Sequence, residues 1–291
     1  MRLDETPKRL LLVACVCYGL FSNHWARDSL GALEAPIESD PPFALSVRSY
    51  NTVTSAYFLP SGIMPILAGI LAQQYGSALV YLQFFAVAAV GNLVVGTAAV
   101  AGQATFSLLL VGRALMGVAY EAVDMMPIGF MAPRFVESWS TLVGVLNGVN
   151  RLGSVLNFVL EPHIYHAGGL RVAIAVPSII GASGLCTALL AQRIDRSMQV
   201  AEAANGAAPK ESKDIITRAS FRQLPTVFWL YLAGGACVYG AVVPFWFIGA
   251  KHLQTRFGMT LAQADALLLL PEGLIAFVAP PFGILIDRYK R

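Results

Sequence analysis

Eight stretches of this 291-residue sequence are long and apolar enough to cross a lipid bilayer as helices, for which about 20 mostly apolar residues are needed. Hydropathy places them at 9–31, 50–73, 78–101, 105–131, 138–162, 170–192, 225–250 and 260–286. Only 13% of the residues are charged, whereas soluble domains average about 25%. A soluble fold of this length cannot bury so much apolar surface. We therefore predict a multi-pass membrane protein and exclude a disordered chain, a secreted disulfide scaffold and an ordinary soluble enzyme.

Basic residues collect on one side of the predicted membrane. If the spans alternate, that side receives thirteen of them: Arg2, Lys8, Arg9, Arg134, Arg193, Arg196, Lys210, Lys213, Arg218, Arg222, Arg288, Lys290 and Arg291. The other side carries three acidic residues after span 1 and three basic-type exceptions after span 7: Glu34, Glu38, Asp40, Lys251, His252 and Arg256. Because basic loops are retained in the cytoplasm, the bias predicts that both termini are cytoplasmic.

The stretch 193–224 differs from the rest of the chain because it is polar. Within it, Ala201–Pro209 (AEAANGAAP) has the composition of a flexible linker. The stretch predicts a cytoplasmic linker that divides the chain into two units. Residues 1–192 contain six predicted spans, and residues 225–291 contain two.

A short pattern recurs at the ends of spans 2 and 8. Residues 69–76 read Gly-Ile-Leu-Ala-Gln-Gln-Tyr-Gly, and residues 283–290 read Gly-Ile-Leu-Ile-Asp-Arg-Tyr-Lys. Coincidence among few apolar residue types is the alternative, but each copy also ends the second span of its unit on the same side. Such a parallel repeat relates the two halves of some transporters. The offset would end a second half near residue ~405, which predicts a truncated gene model, a splice form or a fragment.

Several segments carry a family resemblance. Two of them resemble a loop signature and a helix signature: Gly283-x-Leu285-x-Asp287-Arg288 and Leu110-x-x-Arg113-x-x-x-Gly117. Others resemble a narrower branch: Trp25-x-x-Asp28-x-x-x-Ala32-Leu33, Gly112-Arg113-x-x-x-Gly117-x-x-x-Glu121, Asn150-Arg151-Leu152-Gly153-Ser154 and Phe221-Arg222-x-Leu224-Pro225. Over nearly its whole length the sequence is similar to the major facilitator superfamily, and within it to the lysosomal dipeptide transporters.

The resemblance implies an all-α membrane protein with a major facilitator fold, in which a complete N-terminal six-helix bundle is followed by the first two helices of the C-terminal bundle. It implies a dipeptide substrate exported from the lysosome by alternating access, and a glycosylated accessory membrane protein as a possible partner. The first copy of the repeated pattern, at residues 69–76, departs from the family signature, because Gln73-Gln74 replaces the usual Asp-Arg pair. Two alternatives stay open: transport of an organic anion or sugar, and a transport-inactive membrane interaction protein.

Two charged residues fall near the middle of predicted spans, where charge is costly and marks candidate functional sites. These are Glu121 in span 4 and Arg151 in span 5. In similar transporters the matching residues hold the amine and the carboxylate of the peptide. An extended dipeptide measures about 7 Å, so one anion and one cation at that separation would recognise both termini. The alternative is that Glu121 and Arg151 pair with each other and join the two helices.

Other charged residues have less specific interpretations. Asp124 lies one turn beyond Glu121 and is either a possible proton-coupling group, or an acid directed at Arg151 or the cytoplasmic interface. We interpret Arg113 as a structural or gating charge. The Arg27–Asp28 pair is either interfacial or the rim of an entrance. The remaining charged candidates are the gating residues Asp287 and Arg288 of the loop signature, and Glu272, whose partner the sequence does not identify.

Further lining residues come from a polar stripe on span 5 and from an aromatic residue on span 7. Asn147 and Tyr239 are the candidates, although packing inside an apolar helix would equally explain both. His24 is predicted at the membrane interface, and His163 and His166 in a solvated loop. No catalytic motif is present, and we predict neither enzyme activity nor a cofactor nor a bound metal. The net charge of +3 is too balanced for a nucleic-acid partner.

Overall fold

The computed structural model describes residues 6–41, 43–100, 105–204 and 222–290, and this part of the chain contains helices and no strands. The described ranges contain nine α-helices: α1 (Thr6–Ala32), α2 (Glu34–Ser39), α3 (Val47–Ser61), α4 (Met64–Tyr75), α5 (Ser77–Ala98), α6 (Thr105–Met131), α7 (Trp139–Ala204), α8 (Thr226–Phe257) and α9 (Leu261–Tyr289). Two short 3-10 turns, Ala132–Arg134 and Val136–Ser138, connect α6 to α7.

Each predicted span coincides with helical structure over most of its described residues. Within the described residues, five helical runs are long and apolar enough to cross a membrane: Val47–Tyr75, Ser77–Ala98, Thr105–Arg134, Val136–Ala204 and Gln263–Tyr289. The first of these is α3 and α4 together, interrupted at Gly62 and Ile63. Pro65 explains the interruption, because its nitrogen has no hydrogen to donate to the carbonyl one turn earlier.

Helix α7 contains two predicted spans and is too long for one. A straight helix of its 66 residues would measure about 100 Å. Gly169 divides it with φ 72° and ψ 178°, a conformation open to glycine because it has no Cβ. We call residues 139–168 the first arm and residues 170–204 the second arm. His163 and His166 are therefore exposed residues of a helix, and their prediction as loop residues was wrong.

The second arm also continues beyond the predicted start of the linker. Residues 193–204 are helical, and Arg134 pairs with buried Asp195 at 2.5 Å. Met198, one turn later, is 4% exposed and packs on the main core. These contacts explain why a stretch of linker-like composition is helical at its start. The rest of the predicted linker, residues 205–221, lies outside the described residues.

Helices α1, α3, α5, α6 and α7 surround one large core, to which α8 and α9 contribute little. Helix α8 packs on α9 through a small cluster of Ala250, Ala264 and Leu268, and most of its described surface is exposed. The residues after the predicted linker therefore meet the rest of the protein chiefly through α9, which lies along the first arm of α7.

Helix α9 packs antiparallel to the first arm at very short range. A Cβ added to Gly144 would lie 2.4 Å from the carbonyl oxygen of Ala279, and one added to Gly148 would lie 2.8 Å from that of Ala276. At the end of the interface, a Cβ added to Gly283 would lie 2.2 Å from the carbonyl oxygen of Ser140. Only glycine permits so close an approach of the two backbones.

Replacing Gly144 with alanine is expected to force α7 and α9 apart, because the new methyl group meets backbone that cannot rotate away. Overpacking of this kind costs about 2 kcal/mol. The measurement is the melting temperature in detergent. Gly273→Ala on α9 is the matched control, since a Cβ there meets nothing within 4 Å. Equal melting temperatures for both variants would contradict the close packing.

Candidate functional site

The interface between α7 and α9 continues from the glycines to an ion pair. Arg151 Nη1 donates to both carboxylate oxygens of Glu272, at 3.1 and 3.0 Å. The side chains are 15% and 4% exposed. Arg151 lies twelve residues into α7, about 18 Å along its axis, and thus near mid-membrane if the first arm spans the bilayer. The structure therefore supplies the partner of Glu272 that the sequence left unidentified.

Glu121 has a different partner, so the predicted alternative of a Glu121–Arg151 pair was wrong. The hydroxyl of Tyr57 on α3 donates to Glu121 Oε1 at 3.2 Å. The guanidinium carbon of Arg113 lies 4.7 Å from the centre of the same tyrosine ring, within range of a cation–π interaction. Tyr57, which sequence reasoning missed, thereby connects two charges that lie eight residues apart on α6.

Asp124 is held by two residues of α1. Asn23 Nδ2 donates to Oδ1 at 2.9 Å, and His24 Nε2 lies 2.7 Å from Oδ2. Asp124 therefore does not bind Arg151, and the predicted alternative of an acid directed at Arg151 was wrong. His24 is 2% exposed, so its predicted interfacial position was also wrong. Its other nitrogen, Nδ1, lies 3.5 Å from Ser154 Oγ on α7.

Arg27 and Asp28 form a two-bond ion pair inside the bundle. Arg27 Nε and Nη2 donate to the two carboxylate oxygens of Asp28 at 2.7 and 3.1 Å, and the side chains are 12% and 9% exposed. Arg113, fully buried, donates from Nη1 to the Arg27 carbonyl oxygen at 3.1 Å. The pair is therefore enclosed by protein, which corrects its predicted interfacial position.

These contacts fix how Glu121 and Arg151 are placed relative to each other. His24 joins Asp124 on α6 to Ser154 on α7. Glu121 lies three residues before Asp124, and Arg151 three residues before Ser154, on helices that run in opposite directions. At 1.5 Å per residue, Glu121 and Arg151 lie on opposite sides of the His24 level, with an axial offset of about 9 Å.

The two ends of the bundle are closed by further contacts between the units. At the Arg134 end, Asp287 accepts hydrogen bonds from the backbone nitrogens of Ser140 and Thr141, at 3.2 and 2.7 Å, and so caps α7. At the opposite end, Lys251 Nζ of α8 lies 2.5 Å from Glu38 and 4.0 Å from Glu34 of α2. The Arg151–Glu272 pair lies between these two levels.

The remaining predicted site residues are more loosely placed. Asn147 is exposed beside Gly148, and Tyr239 is 61% exposed on α8. Arg288 is exposed next to the capping residue Asp287. The structure thus brings Glu121, Asp124, Arg113 and Asp28 into one network and places Arg151 at its border. Asn147, Tyr239 and Arg288 lie outside this network.

Glu34 is expected to make stability depend on pH. Burial, together with the nearby Glu38 carboxylate, raises its pKa from 4.5 to about 7, against the opposing effect of Lys251. The raised pKa means that the folded state binds this proton more tightly than the unfolded state. The contribution of Glu34 to stability is therefore fully present below about pH 4.5 and is lost as the pH rises through about 7.

Glu34→Gln should remove that loss. The variant should be as stable as the wild type near pH 5. Near pH 8 its free energy of unfolding should be higher than that of the wild type by about 2 kcal/mol, after allowance for solvent screening. Melting in detergent at both pH values measures the effect, with Glu137→Gln as an exposed control. A difference that does not change with pH would contradict the buried position of Glu34.

Comparison with known proteins gives a family and a set of relatives. The family model described as Major Facilitator Superfamily matches residues 13–291. The lysosomal dipeptide transporter MFSD1 of Homo sapiens is 21% identical over 293 residues, covering 96% of this chain and 61% of the relative. The Gallus gallus protein of the same name is 23% identical over 296 residues, covering 98% of this chain and 60% of the relative.

This chain thus spans about three-fifths of the length of these curated relatives. The family match itself takes in almost the whole of the chain and includes every residue of the network described above. The chain belongs to the major facilitator superfamily.

Proposed function

We propose that this protein is a membrane transporter of dipeptides. The proposal rests on two residues of opposite charge, Glu121 and Arg151, for which the helix rise gives an axial offset of about 9 Å across the level of His24. An extended dipeptide is about 7 Å long and has an ammonium group and a carboxylate at its ends. The relatives that match nearly the whole chain bear the name of dipeptide transporters.

In this proposal Glu121 binds the peptide amine and Arg151 binds the peptide carboxylate. The planar guanidinium suits a carboxylate because it can donate parallel hydrogen bonds. Arg151 already binds a carboxylate, that of Glu272, so the substrate exchanges with Glu272. Since Glu272 belongs to α9, the exchange removes a contact between the two units. Asn147 and Tyr239 serve as lining residues that contact the peptide between its ends.

The contacts at the two ends support transport by alternating access. Opening one side requires separation of Lys251 from Glu38, and opening the other requires loss of the Asp287 cap on α7. Arg113 and Asp28 act as buried structural charges, and Arg288 acts beside Asp287 at the same end. A transporter alternates between these openings around a site near mid-membrane.

We further propose that the protein lies in the lysosomal membrane, with a possible glycosylated accessory partner, and that both termini are cytoplasmic. The excess of basic residues in the sequence segments on one side of the alternating spans supports this orientation. Tags at Met1 and Arg291 should resist protease applied from the lumenal side and be removed by protease applied from the cytoplasmic side. Cleavage of either tag from the lumen would contradict the orientation.

The substrate is tested by uptake into vesicles that contain the protein. We expect uptake of a dipeptide with free termini, and little uptake of the same peptide after N-acetylation or C-terminal amidation. A sugar and a dicarboxylate complete the series, because they represent the other solute classes. Uptake of either of these in preference to the dipeptide would contradict the proposed function.

A further inference from the structure

The buried network around Glu121 contains unequal numbers of positive and negative groups. Two arginines, Arg27 and Arg113, lie among three carboxylates, Asp28, Glu121 and Asp124. Arg27 binds Asp28, Arg113 lies over the Tyr57 ring, and the Tyr57 hydroxyl donates to Glu121. With every arginine and carboxylate ionised, this network would carry one uncompensated negative charge.

An uncompensated charge is expensive inside a protein that is surrounded by lipid. The nearby Arg151 does not balance it, because its charge is matched by Glu272. Lys251 lies at the end of the bundle with Glu34 and Glu38. Among the described residues, the group of this network that can supply the missing positive charge is therefore His24.

The position of His24 suits an imidazole that gains a proton. Its side chain is 3% exposed, Nε2 lies 2.7 Å from an oxygen of Asp124, and Nδ1 lies 3.5 Å from the hydroxyl oxygen of Ser154. Both nitrogens of a protonated imidazole are donors, and each here faces an oxygen that can accept. Histidine is also the residue whose charge ordinarily changes between about pH 5 and pH 8.

Other ionisable groups around the pair come from each helix packed against it. Helix α6 contributes Glu121 and Tyr120, α3 contributes Tyr57, and α5 contributes Tyr81 near Asp124. Arg27 and Asp28 lie on α1 itself. On α7, Arg151 lies one turn before Ser154 and is paired with Glu272, and Glu161 lies two turns after Ser154, near Trp25.

We propose that the His24–Asp124 pair is a proton-binding site, in which one bound proton neutralises the network. Glu121 is one helical turn from Asp124, so the proton lies next to the amine site of the proposed transport cycle and is linked to its occupancy. That link rests on the proposed function, whereas the proton site itself does not. The test below therefore uses no substrate, and its failure is distinguishable from a failure of dipeptide transport.

The test compares the wild type with Asp124→Asn in detergent between about pH 5 and pH 8.5. At the acidic end the wild type should be the more stable, because the protonated His24 pairs with Asp124. As the pH rises the proton leaves and one negative charge remains, whereas the variant is neutral without a proton. The difference in melting temperature should therefore move in favour of the variant by about 4 °C or more. His163→Gln, an exposed histidine on the first arm of α7, should show no such change.

A second pair of variants keeps the proposal testable if one protein does not fold. His24→Gln leaves three carboxylates for two arginines and should melt well below the wild type near neutral pH. The double variant His24→Gln with Asp124→Asn restores the charge balance and should melt above His24→Gln. A pH-independent difference for Asp124→Asn, or a double variant less stable than both single variants, would overturn the proton site.

Discussion

Replacing Arg151 with lysine is expected to lower uptake of a free dipeptide about 100-fold while the protein stays folded. Lysine keeps the positive charge and can still pair with Glu272, but a compact ammonium cannot donate two parallel hydrogen bonds to a carboxylate. A hydrogen bond to a charged group contributes about 1.5–3 kcal/mol, and each 1.4 kcal/mol corresponds to a factor of ten. Initial uptake rates at low substrate concentration give this quantity.

The control for this prediction is Arg171→Lys, an exposed arginine on the second arm of the same helix. It should transport as the wild type does. Melting temperatures of both variants show whether folding is preserved. Uptake by Arg151→Lys within twofold of the wild type would remove Arg151 from the carboxylate site, whatever its structural role.

Replacing Glu272 with glutamine should have two opposite effects. It removes the carboxylate that neutralises Arg151 in a position where Glu272 is 4% exposed. Loss of one partner from a buried pair costs about 3 kcal/mol, so the substrate-free protein should melt about 10 °C lower. The same change removes the competitor of the peptide carboxylate, so dipeptides should bind about tenfold more tightly. Binding and melting are measured on the same preparation, with and without dipeptide.

A double variant separates the two effects. Combining Glu272→Gln with Arg151→Gln removes both charges and should recover much of the lost stability, because no buried charge remains without its partner. The double variant should nevertheless fail to bind dipeptides. If Glu272→Gln weakened dipeptide binding to the same extent as it lowered stability, the exchange between Glu272 and substrate would be refuted.

The helices of this protein were predictable from sequence because each predicted span is a long apolar stretch with few charges. The interruptions within these helices were harder to predict from sequence. Pro65 and Gly169 are compatible with either a continuous or an interrupted helix until neighbouring segments fix the chain. The continuation of α7 to Ala204 depends on the pairing of Asp195 with Arg134, a contact between residues 61 positions apart that composition does not reveal.

The candidate site was predictable residue by residue but not in its pairing. Glu121, Arg151 and Asp124 could be chosen because a charge inside an apolar span is costly. Their partners depend on how helices rotate and pack. Next to Trp25 at the end of an apolar run, His24 has the pattern of an interfacial residue. Helix α1 nevertheless extends to Ala32, and His24 is buried against Asp124 of α6 and Ser154 of α7. Tyr57 gave no signal, because a tyrosine in an apolar helix is ordinarily a packing residue.

Recognition of the peptide amine by Glu121 is the most direct test of the proposed function. The measurement is the ratio of uptake of a free dipeptide to that of its N-acetylated form, compared between the wild type and Glu121→Gln. Acetylation removes the positive charge that Glu121 is proposed to bind, and glutamine removes the negative charge while keeping the size of the side chain. We expect a strong preference for the free dipeptide in the wild type and a loss of most of that preference in the variant, chiefly through slower uptake of the free form. An unchanged ratio in a well-folded Glu121→Gln protein would contradict recognition of the peptide amine by Glu121.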